Sequence, residues 1–119
     1  KLGRRKSIEV GNIDIIRDFL DVDDVVKAYI CLVEKGVKGQ VYNICSGKGY
    51  SLKELIEKMM QLAGISSEYV INTQLIRPSD NPIIIGCNQK IKQECNWEPG
   101  IPIEESLSRI LKNWEEKLK

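Results

Sequence analysis

One capped amphipathic stretch constrains the fold more than anything else in the chain. Ser51-Leu52-Lys53-Glu54 is a capping box, with a serine at the cap and a glutamate three residues on that reaches back to it. Behind it Leu52, Leu55, Ile56, Met59, Met60 and Ala63 recur at three- and four-residue steps, and Gly64 ends the run. The spacing predicts a helix whose apolar stripe, both methionines included, is buried as core filling.

The flanking segments alternate between helix and strand signals. Residues 8–10 are short and β-prone, and Gly11-Asn12 is a turn signal. A second helix is expected from Val22, Val25, Val26, Tyr29, Ile30 and Val33, which share helical spacing. Asp21, Asp23 and Asp24 crowd its first turn, where carboxylates meet free N–H groups, and Lys35-Gly36 closes it. Residues 40–45 are a strand candidate, broken by Ser46-Gly47-Lys48-Gly49. Residues 69–71 read as another short strand, and the two prolines of 77–82 require a loop. Residues 83–85 suggest a brief buried extended piece, and Asn88 a cap for a short helix toward Trp97. On the last helix Ile103, Leu107, Ile110, Leu111 and Trp114 share a face. The sum is a small α/β module of α+β character, with a few short strands and three to four helices, spanning 1–119 as one domain.

At 119 residues the chain is long enough for one domain with a core of its own and too short for two. A formal net charge of +1 argues against nucleic acid, which selects a strong basic excess. No apolar run approaches the ~20 residues a membrane span needs, and no leader is evident, so the expectation is no membrane and a cytoplasmic location. The chain opens on Lys1 without a methionine, as if entered partway along a helix closed by Gly3. Its basic cluster Lys1, Arg4, Arg5, Lys6 is a solvated run or a phosphate contact. Cys31, Cys45, Cys87 and Cys95 are widely spaced and form no Cys-x-x-Cys pair, so buried structural thiols are expected, with neither metal nor disulfide.

Histidine is absent, and with it the commonest general base. Serine and cysteine nucleophiles have nothing to activate them. Gly47 and Gly49 do not make the three-glycine loop that holds a dinucleotide, and neither Tyr42 nor Tyr50 has a lysine four residues on. The residues themselves point to a chain inactive on its own. Two arginines stand out instead: Arg17 before a helix mouth and Arg77 in the proline-rich loop. A guanidinium fork holds two phosphate oxygens with a charge that never titrates, so two forks from separate loops suit a diphosphate. Pairing of each with its neighbour, Asp18 or Asp80, accounts for them equally well on residue chemistry alone.

Longer motifs add to this. The segment Gly11-Asn12-Ile13-Asp14 through Arg17-Asp18-Phe19 to Asp24-Val25-Val26, the strand Val41-Tyr42-Asn43-Ile44-Cys45-Ser46-Gly47, the loop Arg77-Pro78-Ser79-Asp80 and Trp97-Glu98-Pro99 follow one another in order. Together they resemble the C-terminal part of extended short-chain dehydrogenases/reductases acting on nucleotide sugars, nearest to GDP-mannose 4,6-dehydratases and GDP-4-keto-6-deoxymannose reductases. Asn96 stands where that pattern has glycine.

The resemblance implies the small substrate-binding domain of a Rossmann-type enzyme. Arg17 and Arg77 would bind the diphosphate of a nucleotide sugar, with a GDP-sugar favoured. Asp80 would lie near ribose or sugar hydroxyls, and Asn12 and Ser79 are adjacent polar candidates. NAD or NADP would be bound mainly by an N-terminal Rossmann domain absent here, and no cofactor is expected on this chain itself. That domain is the expected partner, and the face it covers should be apolar and prone to self-association. A free-standing nucleotide-binding or protein-interaction module is the alternative.

Overall fold

The computed structural model describes residues 7–78 and 80–119. The basic cluster at the N-terminus and Ser79 lie outside the described residues. Ten short elements follow one another: β1 (Ser7–Val10), β2 (Ile16–Asp18), α1 (Val22–Lys35), β3 (Gly49–Ser51), α2 (Leu52–Ala63), β4 (Glu68–Ile71), a 3₁₀ turn (Thr73–Leu75), β5 (Ile83–Ile84), α3 (Gln89–Cys95) and α4 (Ile103–Leu118). The mixed α/β class is as expected.

The strands form two small sheets. β1 and β4 pair in parallel, Ile8 opposite Tyr69. β2 runs at the centre of the other, antiparallel to β3 and parallel to β5, with Arg17 opposite both Tyr50 and Ile84. α2 begins as predicted: the Ser51 side chain accepts from Glu54 N–H, and the Glu54 carboxylate accepts from Ser51 N–H at 2.9 Å. Gly64 ends it with a left-handed φ of 65°. α2 packs on α4, and Leu55 and Leu107 are buried.

The main core lies elsewhere, between α1 and α3. Ala28, Ile91 and Cys95 are fully buried there with Trp97, and Leu20, Leu32, Tyr42 and Ile44 pack around them. Ala28 lets the two helices approach closely because it carries only a methyl group. Asp24, expected among the helix-start carboxylates, is buried in the same region. Its carboxylate accepts from the N–H groups of Gly100 (3.1 Å) and Ile101 (2.9 Å), and its carbonyl accepts from Trp97 Nε1 (3.1 Å). Those bonds compensate the burial of a polar side chain. The cap of α1 is Asp21, which accepts from Asp23 N–H.

Several expectations change. Residues 40–45 are not a strand, because no neighbour offers a ladder. Their side chains still alternate, Val41 81% exposed while Tyr42 and Ile44 face the core. Lys90 Nζ and the Asn88 amide donate to the carbonyls of Val41 and Cys45 in place of a strand. Asn88 therefore makes no side-chain cap on α3. Residues 83–85 are exposed rather than buried, and Met59 and Met60 are half-buried. The apolar stripe of α1 points outward: Val22, Val26, Tyr29, Ile30 and Val33 are all exposed. The cysteines are all free. Cys95 alone is buried, Cys31 and Cys45 are half-buried, and Cys87 is exposed.

Candidate functional site

The chain leaves β1 through Gly11, where a Cβ would stand 2.8 Å from the Leu75 carbonyl oxygen, so only glycine lets the 3₁₀ turn come this close. Asn12 then accepts from Asp14 N–H at 3.2 Å, and Ile13 is buried with its carbonyl taken by Lys53 N–H. This brings the chain into β2 against the first turn of α2.

Along β2 successive side chains take opposite faces. Arg17 turns to one side, where its Nη1 donates to the carbonyls of Ile16 (2.9 Å) and Asn81 (2.8 Å). Nη2 and Nε make no bond among the described residues, so one edge of the fork is left open. Asp18 turns to the other side and accepts four hydrogen bonds, from Ser46 N–H (2.8 Å), Ser46 Oγ (2.6 Å), Gly47 N–H (2.9 Å) and Gly86 N–H (3.2 Å). Burial pushes its carboxyl up, and the donors outweigh that, holding it below the ordinary carboxylate value. The neighbouring-aspartate pairing for Arg17 is thereby excluded by geometry.

Arg77 sits in the exposed loop after the 3₁₀ turn. Asp80 N–H approaches the Arg77 carbonyl at 3.4 Å, closing a turn, and no ion pair joins the two side chains. Asn12, Arg17, Arg77 and Asp80 line one cleft of 610 Å³, whose apolar side is built largely by α2 through Leu55, Ile56 and Met59. Two cations, one carboxylate and one amide thus share a concavity with an apolar wall, an arrangement suited to an anion attached to a less polar group. Four of the five nominated site residues are brought together, and Ser79 lies outside the described residues.

Two features of the site escaped the sequence. Met59 belongs to the cleft wall as well as to the helix packing, because α2 is covered by α4 on one side only. The role of Asp18 was hidden because its partners lie 28 and 68 positions away, though strand alternation separates it from Arg17. Of the glycines after residues 40–45, Gly47 takes a left-handed φ of 75° and Gly49 serves packing: a Cβ at Gly49 would stand 2.6 Å from both Ile16 Cγ2 and Ile85 Cδ1.

Known proteins share this architecture. The chain is 38% identical over 94% of its length to the GDP-6-deoxy-D-mannose reductase of Pseudomonas aeruginosa, and 33% identical over 72% to the GDP-6-deoxy-D-talose 4-dehydrogenase of Aggregatibacter actinomycetemcomitans. It superposes on RMD from Pseudomonas aeruginosa, solved with NADPH, with a TM-score of 0.90 at 38% identity over 96% of the chain and 37% of RMD. The UDP-glucose 4-epimerase of Thermotoga maritima, solved with UDP-glucose, gives 0.86 at 29% identity over 95% of the chain and 36% of that enzyme. The chain spans 37% of the reductase and 29% of the dehydrogenase. A family model described as GDP-mannose 4,6 dehydratase matches residues 1–110. The chain belongs to the GDP-mannose 4,6-dehydratase family of Rossmann-type extended short-chain dehydrogenases/reductases.

Proposed function

We propose that this chain grips the nucleotide sugar of an NAD(P)-dependent reductase, dehydratase or epimerase, holding the diphosphate between Arg17 and Arg77. The observation that carries the reading is the shared cleft, in which Arg17 is tied to carbonyls and has no carboxylate partner among the described residues. Asp80 and Asn12 stand at hand for hydroxyl groups, and the α2 wall for an apolar face of the ligand. A GDP-sugar is favoured because two of the relatives, at 38% and 33% identity, are named for GDP-sugars. The contribution to turnover is orientation: fixing the diphosphate presents the sugar at one position. Hydride and proton transfer belong to the upstream cofactor-binding domain, and this chain alone turns over nothing.

That upstream domain is the proposed partner. The outward stripe of α1 is the kind of face a domain interface covers, with Val22 70% and Val33 88% exposed. Residues 40–45, without a ladder among the described residues, offer it a backbone edge. Left uncovered, the same stripe drives self-association.

GDP titrated into the chain, followed by NMR, tests the grip. Shifts are expected around the cleft, with Arg17→Lys and Arg77→Ala each weakening binding about tenfold, because hydrogen bonds to charged groups contribute about 1.5–3 kcal/mol and an ammonium has no fork. Shifts confined to α1 or α3, or an unchanged Kd in both variants, would overturn the reading.

A further inference from the structure

We infer that Asp18 is a positioning residue for the diphosphate grip, acting from outside the cleft by holding Arg17 and the Arg77 loop in register. The inference rests on the reading of Arg17 as a diphosphate ligand.

The sheet that carries Arg17 is unusually short. β2 and β3 have three residues each and β5 two, so ladder hydrogen bonds alone hold it weakly. The Asp18 carboxylate adds four bonds to this, distributed over both neighbours of β2. Three come from Ser46 and Gly47, in the turn that leads into β3, and one from Gly86, just past β5. One side chain therefore stitches the central strand to both of its partners.

The consequences reach the other face. With β5 held, Pro82 O accepts from Ile16 N–H at 2.8 Å and Asn81 O accepts from Arg17 Nη1 at 2.8 Å. These two carbonyls end the 77–82 loop, which carries Arg77 and Asp80. The spacing between the two arginines is therefore set by the register that Asp18 secures. Asp18 itself does not line the cleft. Its oxygens are saturated on the far face, so it secures Arg17 without neutralising it. Gly86 belongs to the device, since a Cβ there would stand 2.5 Å from Cys45 Sγ and force the donor away.

A double-mutant cycle on GDP binding tests the assignment, with Kd read from the backbone amide signals of the cleft in every variant and the Arg17 Nε–Hε signal followed wherever Arg17 is present. Asp18→Asn keeps the shape but cannot accept four donors. It is expected to weaken GDP binding about tenfold and to shift the Arg17 signal, as residues of one network couple. In an Arg17→Ala background the same change should cost less than about twofold, because the two act through one path. Ser46→Ala removes a single donor, leaves three backbone donors in place, and should weaken binding about threefold with the same loss of effect in that background. It carries the cycle if Asp18→Asn does not fold. An unchanged Kd in folded Asp18→Asn and Ser46→Ala, or losses that multiply with Arg17→Ala, would overturn the positioning role while leaving the diphosphate reading intact. An Arg17→Ala chain that binds GDP as before, or an unmodified chain that shows no GDP-dependent shift, would remove both.

Discussion

Asn96 ends α3 with a φ of 53°, in the left-handed region where glycine is the usual helix terminator. Asparagine tolerates that region better than other non-glycine side chains, so it can hold the turn into Trp97. Asn96→Ala should cost about 1 kcal/mol of stability and Asn96→Gly should be neutral or slightly stabilising, both measured by urea unfolding. Equal stability of all three would mean the turn relaxes out of that conformation. At this scale the sequence showed where chemistry was absent and which cations were unusual. It left open whether Arg17 pairs with Asp18, and the answer came from β2, whose alternation sends the two side chains to opposite faces. Asp24 was misread for a related reason: a carboxylate in a first turn has the credentials of a cap, and its real partners, Gly100 and Ile101, lie far along the chain.

At the scale of elements, α2 was legible to the residue because its signals are local: a cap, a stripe and a closing glycine all lie within 51–64. Leu55 is buried between α2 and α4, and Leu55→Ala is expected to destabilise by about 2–5 kcal/mol in thermal or urea unfolding. A loss below about half a kcal/mol would place that face in solvent. Residues 40–45 and 83–85 were less legible because a strand is defined by its neighbours. The first has the right residues and no ladder, and the second has an apolar run on a two-residue edge strand. The stripe of α1 was recognised as a helix face, but periodicity does not say which face turns inward. Here Ala28 and Asp24 do, and the larger residues look out.

The whole molecule is thin, 51 × 36 × 18 Å, and its fully buried residues are few for its length. That shape was not readable from composition, which is that of an ordinary globular domain. The order of motifs did convey the family, because the resemblance spans the chain from Gly11 to Pro99. One consequence of the ladderless stretch concerns how the molecule would be digested. Endoproteases take hold of peptide in an outstretched form and need room on both sides of the scissile bond. The run from α1 to residue 45 suits both needs: Lys38 is exposed, Gly39 has open space about it, and residues 40–45 lie in neither helix nor strand. Brief trypsin treatment should therefore make its first cut among the described residues after Lys38, ahead of every lysine in α2 and α4, as mass spectrometry of the earliest fragments would record. Early cleavage within those helices instead would mean that the stretch is shielded. The two pieces should stay associated after the cut, pinned by Lys90 to Val41 and by Asn88 to Cys45, so the nick would be silent until the chain is denatured.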